Sequence, residues 1–168
     1  DDFVNIIRSN FLISDSYFEN SNSDAIDLDF SKGMIKNTIF NKSVNDAIDF
    51  SGSEVELSNI EIDKAGDKAI SVGEKSFINA SKIRITNSNI GIASKDSSDV
   101  MIENVVVTNC GLYDFATYQK KSYFSGASMK VANSNSCNKP LSQLGSNLII
   151  DGIEIEEEKI DIKKKLYN

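Results

Sequence analysis

Short segments in which apolar and polar residues alternate recur along the chain at a fixed interval. Residues 24–28 (Asp-Ala-Ile-Asp-Leu) return as residues 46–50 (Asp-Ala-Ile-Asp-Phe), and weaker versions follow at residues 68–72 and 90–94, each after a step of 22 residues. Alternation with a period of two over three to five residues is typical of β-strands. Turns that contain Asn, Asp, Gly or Ser separate the segments. Asn and Gly tolerate the left-handed conformation of tight bends, so the pattern predicts short strands joined by such bends.

Three columns of equivalent residues follow from this repeat. They are Ile26, Ile48, Ile70 and Ile92, continued by Phe115; Asn45, Asp67, Asn89 and Gly111; and Phe40, Ile62, Ile85 and Val107. Two of the steps, the one to Phe115 and the one to Ile85, are 23 residues instead of 22. A solenoid with one repeat per coil places such residues above one another, because parallel strands of successive coils stack about 4.8 Å apart.

The repeat therefore predicts an all-β fold, a single right-handed parallel β-helix with six or seven coils of about 22 residues. A β-propeller is disfavoured because its repeats run to about 40 residues. We expect the β-helix to span residues 1–150, with a longer turn through Gly126 and a looser strand pair near residues 129–131 and 148–150. The charge-rich residues 151–168 are expected to cap the last open coil as a strand or a short helix.

Five aspartates are predicted to share the outer surface of two coils. If Ile26 points inward, Asp27 points outward, because side chains alternate along a strand. Asp49 then stacks on Asp27, and Asp24 stacks on Asp46 at the corner before the strand. The five residues are Asp24, Asp27, Asp29, Asp46 and Asp49. Like charges this close are expected to raise a carboxyl pKa.

Three interpretations of these aspartates are open. Two carboxylates about 5 Å apart can share the acid and nucleophile roles of a glycosidase, and a wider gap suits an inverting mechanism. The candidates for such catalysis are Asp24, Asp27, Asp46 and Asp49. Clustered carboxylate oxygens also suit Ca²⁺, with Asp27, Asp29 and Asp49 as the candidate ligands. In the third interpretation the aspartates form a solvated face, or accept backbone hydrogen bonds that stabilise the coil corners.

A second candidate site consists of lysines and tyrosines that follow the regular repeats. Tyr118, with Tyr113 and Tyr123 near it, is expected to be exposed beside Lys120 and Lys121. This cluster would bind an acidic glycan or cover the end of the core. Lys95, in the column of Asp29, is the candidate contact for a substrate carboxylate.

Composition excludes several classes of function. The chain has 168 residues, with 25 acidic and 18 basic side chains, a net charge of −7, no His and no Trp. The negative charge argues against a nucleic-acid partner. Without His there is no imidazole base and no His-ligated zinc. No run approaches the roughly 18 apolar residues of a membrane span.

The ends and the cysteines carry expectations about location. Residue 1 is Asp and no apolar leader segment follows it, which suggests a piece of a longer polypeptide that continues on the N-terminal side. We expect an extracellular or cell-surface location, with the periplasm as the alternative. Cys110 and Cys137 would pair in an exported protein or stay as two small apolar residues.

At residues 46–53, 68–76 and 90–96 the chain resembles the pectin-lyase-like right-handed parallel β-helix superfamily, and within it the uncharacterised surface proteins of the NosD and CotH-associated type. Residues 22–24, 45–46, 67–69 and 91–95 resemble, in the same coil order, the four motifs of polygalacturonase-type glycosidases. The His of the third motif and the Arg of the fourth are missing here. The resemblance implies a polysaccharide ligand, often rich in uronate.

These observations favour a non-catalytic β-helix module of an exported bacterial surface protein, acting as a scaffold or binding a glycan. No cofactor other than Ca²⁺ is expected. The alternative is a polysaccharide-active enzyme, a uronate hydrolase, lyase or epimerase, that uses the clustered aspartates. An enzyme would need a groove over Asp24, Asp27, Asp46 and Asp49, whereas a shallow face there would argue against catalysis.

Overall fold

The computed structural model describes residues 2–137 and 140–167, and the fold is a parallel β-solenoid of seven coils. Each full coil contributes a short strand to a first sheet and a long strand to a second sheet. The first sheet contains β1 (Val4–Ile7), β4 (Ile26–Asp29), β6 (Ile48–Ser51), β8 (Lys68–Gly73), β10 (Ile90–Lys95), β12 (Tyr113–Tyr118) and β14 (Leu141–Ser142).

The second sheet carries the longer strands. Its members are β2 (Asn10–Ser14), β3 (Tyr17–Ser21), β5 (Lys32–Ser43), β7 (Glu54–Ala65), β9 (Phe77–Thr86), β11 (Asp99–Thr108), β13 (Ser128–Ser136), β15 (Asn147–Ile150) and β16 (Ile153–Glu154). All pairs are parallel except β15 with β16, which is antiparallel. A short helix, α1 (Ile162–Leu166), lies near the C-terminal end of the described residues.

The register confirms the predicted columns. Ile26 pairs with Ile48, Ile70 with Ile92, and Ile92 with Phe115. All of these side chains are buried in one continuous core between the sheets. The third column also pairs as predicted, from Phe40 through Val107. The inward residues are β-branched or aromatic, which suits a stacked, fully buried strand face.

Asparagines form the bends inside the long strands. Asn37, Asn59, Asn104 and Asn133 all have φ between 49° and 60°, the left-handed region that Asn tolerates. The Asn59 amide also donates to the Asn37 side-chain oxygen at 3.0 Å, in the coil before it. The predicted bend at Asn59 is confirmed, and side-chain hydrogen bonds join the bend at Asn59 to that at Asn37 and the bend at Asn133 to that at Asn104.

A buried serine ladder holds the opposite corner, where the short strand leads into the long one. The backbone N–H of Ser31 donates to Ser53 Oγ at 3.0 Å, and that of Ser53 donates to Ser76 Oγ at 3.0 Å. Ser98 continues the ladder below Ser76. These hydroxyls satisfy backbone donors that would otherwise be buried without a partner. Ser31, Ser53, Ser76 and Ser98 recur at steps of 22 or 23 residues, so the repeat in the sequence also marks this ladder, which was not among the predicted columns.

The predicted irregular regions are also present. Asp99 pairs with Ser128, 29 positions further on, because the loop of residues 119–127 is inserted between β12 and β13. Met129 pairs with Leu148 and Val131 with Ile150, as predicted for the looser strand pair. The division into a β-helix of residues 1–150 and a cap of residues 151–168 stays a prediction. Residues 1 and 168, at the outer limits of these two ranges, lie outside the described residues.

The C-terminal segment closes one end and then crosses the first sheet. β16 turns back antiparallel on β15, and Ile155 packs against the main core. Helix α1, with Asp161 as its N-cap, then places Ile162 in a smaller apolar cluster on the outer side of β10, β12 and β14. We call residues 156–167 the tail. It covers the C-terminal half of the outer face of the first sheet, next to the aspartates.

Candidate functional site

The five predicted aspartates lie together on the outer side of the first two full coils. Asp27 on β4 pairs directly with Asp49 on β6, and Asp29 pairs with Ser51. Asp24 and Asp46 occupy the corners before these two strands. We call Asp24, Asp27, Asp29, Asp46 and Asp49 the aspartate face.

The two corner carboxylates accept hydrogen bonds from the backbone. Asp24 Oδ1 accepts the N–H of Asp46 at 2.8 Å and the Asn45 amide at 2.7 Å. Asp46 Oδ1 accepts the N–H of Lys68 at 2.8 Å, and Asp2 Oδ1 accepts the N–H of Asp24 at 3.2 Å. The same contact thus repeats from coil to coil. It is a ladder that stabilises successive corners, as expected for Asp side chains at bends.

Crowding and burial raise the carboxyl pKa values across the face. Burial raises the pKa of Asp27 to about 7, and repulsion from Asp29 and Asp49 adds to the effect. Burial also raises the pKa of Asp46 to about 6, although attraction to Lys68 opposes it. The pKa values of Asp24 and Asp29 are raised as well, mainly by burial. Burial and crowding thus bring the pKa of Asp27 closer to neutral pH than that of Asp46.

Two buried lysines border the face. Lys68 is 2% exposed, ion-paired to Asp67, and lies with its ammonium 3.7 Å from Asp46. The Lys95 ammonium lies 3.5 Å from Asp49 and donates to Ser71 Oγ at 2.8 Å. Burial alone would lower the pKa of each ammonium, but the nearby carboxylates outweigh it and raise both values. Lys95, the predicted contact for a substrate carboxylate, is thus 6% exposed and already bonded within the protein.

The tail overturns the expectation that Tyr118 is exposed. Tyr118 is fully buried, and its hydroxyl lies 2.7 Å from that of Tyr167. Tyr167 reaches it because the tail folds back over β12. The expectation is wrong because residues of the tail, which is not part of the 22-residue repeat, cover Tyr118. Of the other two tyrosines, Tyr113 is half-buried and Tyr123 is exposed.

The two predicted binding lysines lie at the entrance to the loop of residues 119–127. Asp96 Oδ1 accepts the backbone N–H of both Lys120 and Lys121, at 2.7 and 2.8 Å. The Lys121 ammonium forms an ion pair with Glu74. The Lys120 ammonium lies 4.2 Å from the centre of the Tyr167 ring. Burial lowers its pKa, and repulsion from Lys95 and Lys68 adds to this.

Three participants in this region were not predicted as site residues. Glu74 accepts a hydrogen bond from Ser51 and pairs with Lys121. It lies in the turn that lengthens one repeat to 23 residues, so the irregular step was the signal that could have identified it. Lys68 occupies the position in its coil that Asp24 and Asp46 occupy in theirs, so the column changes there from negative to positive charge. The repeat therefore marks Lys68 as well. Tyr167 lies outside every repeat, and no pattern in the chain points to it.

The predicted calcium ligands do not converge. Within residues 2–137 and 140–167, no group of three or more His, Cys, Asp or Glu side chains is placed to hold a metal ion. Asp27 and Asp29 are two positions apart on one strand, which separates their Cα atoms by about 6.6 Å. The Asp49 carboxylate faces the Lys95 ammonium. A calcium site formed by Asp27, Asp29 and Asp49 stays a prediction.

Two grooves lie elsewhere, on the outer face of the second sheet. One, of about 590 Å³, is lined by residues that include Met34, Glu56, Met101 and Lys130. The other, of about 500 Å³, shares Met34 and Glu56 with it. No residue of the aspartate face lines either groove. An enzyme acting through these aspartates requires a cleft above them, and these two grooves do not supply it.

A smaller groove of about 270 Å³ lies where the tail meets the loop of residues 119–127. It is lined by side chains with ammonium, amide, hydroxyl and carboxylate groups, namely Gln119, Lys120, Ser122, Gln143, Asp161 and Lys163, together with Ile160 and Ile162. Lys120 is the predicted binding residue that this groove contains.

The two cysteines do not form a disulfide. Cys110 is buried and Cys137 is exposed. Burial raises the pKa of the Cys110 thiol to about 12, and the nearby Asp114 adds to the shift.

Comparison with known proteins agrees with this geometry. The model of the right-handed β-helix region matches residues 4–152. The chain belongs to the right-handed β-helix family. No curated protein and no solved structure matches the chain. Among the described residues of this β-helix protein, no helix is long and apolar enough to cross a membrane.

Proposed function

We propose that this β-helix domain is a non-catalytic module of an exported bacterial surface protein, part of a longer polypeptide, which binds polysaccharide outside the cell. The observation that carries the proposal is the use of the Asp24 and Asp46 carboxylates as corner acceptors for backbone N–H groups. Two of the four carboxyls that catalysis would need are thereby committed to holding the fold.

The low solvent exposure of Asp46 also supports a non-catalytic role for this residue. Asp46 is 4% exposed and lies against the Lys68 ammonium. A general acid or base must reach the proton that it transfers within about 3 Å, directly or through one water. Asp46 is too enclosed for a sugar ring to approach it in this way. Its contacts with the coils on both sides repeat those of Asp24, which is the pattern of a structural residue.

The small groove between tail and loop is the proposed polysaccharide site. Its lining combines Lys120 and Lys163 with the amides of Gln119 and Gln143. Ammonium groups pair with carboxylates, and amides bond to hydroxyls, so this lining suits an acidic polysaccharide. The half-buried Tyr167 ring beside Lys120 supplies an aromatic surface. The resemblance to the pectin-lyase-like superfamily supports this choice of ligand, and the resemblance to NosD and CotH-associated surface proteins supports the extracellular location.

The test combines binding and cleavage measurements on the whole chain. Polygalacturonate, alginate and a neutral glucan are titrated calorimetrically, and each is also assayed for new reducing ends and unsaturated products. We expect binding of an acidic polymer, at least tenfold weaker for Lys120→Ser, and no cleavage. Lys130→Ser, on the second sheet, is the matched control and should bind normally. Equal loss in both variants, no binding at all, or turnover would contradict the proposal.

One observation favours a second candidate, a polysaccharide-active enzyme. Asp27 is partly exposed with a pKa raised to about 7, and it stacks on Asp49 of the next strand. Neighbouring parallel strands are about 4.8 Å apart, close to the separation of the two carboxyls of a retaining glycosidase. In this scheme Asp27 would donate a proton and Asp49 would attack or stabilise. Turnover of a uronate polymer that disappears in Asp27→Asn and persists in Glu103→Gln would establish it.

A further inference from the structure

Two strands of the second sheet carry the same outward pattern with opposite charge. Before the asparagine bend, alternate residues of each long strand point outward, because side chains alternate along a strand. In β5 these residues are Lys32, Met34 and Lys36, and in β11 they are Asp99, Met101 and Glu103. β5 thus presents two ammonium groups on either side of a methionine, and β11 presents two carboxylates on either side of a methionine.

Two other strands lie between β5 and β11. The order of neighbours is β5, β7, β9 and β11, so β5 and β11 are about 14 Å apart. The column of Lys32 continues as Glu54, Phe77 and Asp99, and that of Met34 as Glu56, Asn79 and Met101. The column of Lys36 runs through two serines to Glu103. Each column therefore joins one residue of β5 to one residue of β11.

The side chains at the two ends of these columns are available to a partner. Among the described residues, Lys36 and Glu103 form no ion pair and no side-chain hydrogen bond. Met101 is 43% exposed, and with Met34 it lines the groove of about 590 Å³. Methionine is enriched in interfaces and charged side chains belong at their rims. The face thus offers an apolar centre flanked by unpaired charges.

The face is complementary to itself under one symmetry operation. A two-fold axis parallel to the strands, between β7 and β9, keeps the position of each residue along its strand and reverses the order of the coils. β5 of one copy then faces β11 of the other. Lys36 faces Glu103 and Met34 faces Met101, and each contact occurs twice because a two-fold interface uses the same patch on both copies.

The remaining positions are compatible with this arrangement. Glu56 faces Asn79, whose amide can donate to a carboxylate. Glu54 faces Phe77, which carries no charge. No like charges meet between the outward residues of the four strands.

Other arrangements of two copies bring like charges together. A shift by one coil places Glu54 against Asp99 in one direction and against the Glu54 of the other copy in the opposite direction. A two-fold axis along the solenoid places each strand against itself, so that Lys32 meets Lys36. Like-charge contacts disfavour wrong partners and registers. Charge complementarity therefore selects the arrangement with β5 against β11.

We propose that the outer face of β5, β7, β9 and β11 is the interface of a two-fold symmetric dimer, and that its occupant is a second copy of this chain. The four strands and the five residues of each give about 300 Å² of flat sheet per copy, well below the roughly 800 Å² per partner of a standard interface. Exposed ion pairs add little affinity. The dimer is therefore weak, and the chain is a monomer at the low micromolar concentrations of unfolding measurements. The proposed polysaccharide site lies beside the other sheet, so the two proposals are independent.

Sedimentation velocity of the whole chain measures the dimer. At low salt we expect conversion of monomer to dimer with a dissociation constant on the order of 100 µM. Raising the salt concentration from about 20 mM to about 500 mM should weaken the dimer about fivefold or more, because the charged pairs are exposed. A chain that stays monomeric at about 1 mM, ten times that constant, would overturn the proposal. So would a dimer that salt does not weaken.

Charge reversal tests which residues face each other. Lys36→Glu brings carboxylates together in both contacts of a homodimer, and Glu103→Lys brings ammonium groups together. Each variant alone should dimerise at least tenfold more weakly than the wild-type chain. An equimolar mixture should form a mixed dimer as tight as the wild-type dimer, because both contacts then join a carboxylate to an ammonium. A mixture without a preference for the mixed dimer would overturn the proposal.

Lys42→Glu and Glu61→Lys are the matched controls. They make the same changes of charge at exposed positions of β5 and β7 beyond the asparagine bend. Each should dimerise like the wild-type chain, and their mixture should not favour the mixed dimer. Circular dichroism checks that all four variants keep the fold. Equal weakening by the control variants would assign the effect to net charge and overturn the proposal.

A zero-length carbodiimide cross-linker locates the contact without any substitution. It joins an ammonium to a carboxylate only where the two touch, and a mixture of ¹⁵N-labelled and unlabelled chain identifies links between copies by mass. We expect links from Lys36 to Glu103 and from Lys32 to Asp99. Within one copy these partners are about 14 Å apart, too far for a direct link. Links between copies that join other residues instead would place the dimer on another surface and overturn the proposal.

Discussion

The hydroxyls of Tyr118 and Tyr167 lie 2.7 Å apart, although the two residues are 49 positions apart in the chain. Tyr118 belongs to the last regular coil and Tyr167 to the tail, so this contact joins the solenoid to the segment that crosses its outer face. The Tyr167 ring also lies 5.2 Å from the Lys68 ammonium and 4.2 Å from that of Lys120. The contact thus helps to hold the tail against the outer face of the first sheet.

Tyr167→Phe tests this contact. Loss of a hydrogen bond at a partly buried site should lower the free energy of unfolding by about 1 kcal/mol. Tyr118→Phe should cost a similar amount, and the double variant should cost little more than either one, since both remove the same bond. Urea unfolding followed by circular dichroism measures all three. Tyr123→Phe, in an exposed residue, should have no effect, and strictly additive losses would show that the two hydroxyls are not coupled.

The pH dependence of stability should reflect Asp27. Its pKa is about 7 in the folded chain and about 3.8 without the surroundings of the fold. Between these values the folded state holds a proton that the unfolded state has released, so this carboxyl makes stability fall as pH rises from about 4 to about 7. Asp27→Asn should therefore flatten that fall.

The measurement is urea unfolding of both proteins across that range of pH. As the pH rises across this range, the free energy of unfolding should fall more for the wild-type chain than for Asp27→Asn. Glu103→Gln, which removes an exposed carboxylate of the second sheet, should follow the wild-type curve. A steeper fall for Asp27→Asn than for the wild-type chain would reverse the expected sign.

The coil architecture was predictable because the repeat step and the period of two together specify the register. Ile48 has its partners 22 positions before and after it, and its neighbour Asp49 points to the other side of the strand for the same reason. The αL bend at Asn59 was predictable because few other residues tolerate that conformation.

The surroundings of the candidate site could not be predicted in the same way. Tyr118 and Lys95 occupy outward positions, which the alternation alone marks as solvent-facing. Lys95 is buried with its ammonium bonded to Ser71 and near Asp49, and Tyr118 is buried because the tail folds over it. The contact of Tyr118 with the tail joins distant segments that share no period. The strand pattern specifies the position of each side chain on the sheet but not what covers it.

Asp46 should behave as a structural residue. Asp46→Ala leaves the N–H of Lys68 without its acceptor and removes one of the two carboxylates near a buried ammonium. Breaking a buried ion pair is strongly destabilising, and we expect a loss of about 3 kcal/mol. Asp46→Asn keeps an oxygen acceptor and should lose about half as much.

Thermal and urea unfolding give these values, and polysaccharide binding gives the functional readout. The affinity of folded Asp46→Asn for an acidic polymer should equal that of the wild-type chain. Asp99→Ala, which removes an exposed acceptor of the Ser128 hydroxyl, is the control and should lose less than about 1 kcal/mol. A stable Asp46→Ala protein would show that the corner ladder contributes little.

Lys82 interrupts the ladder of asparagine side chains, and its replacement by Asn should stabilise the protein. It occupies the bend between Asn59 and Asn104 with a φ of 56°, where a long side chain is disfavoured. Lys82→Asn supplies a residue that tolerates this conformation and an amide that reaches both neighbours, so the free energy of unfolding should rise by about 1 kcal/mol. Lys75→Asn is the matched control, because Lys75 has a φ of 63° but lies outside this ladder. Urea unfolding should show a clearly larger gain for Lys82→Asn than for Lys75→Asn. Equal gains would assign the effect to backbone conformation alone, and a loss at Lys82 would contradict the ladder as a source of stability.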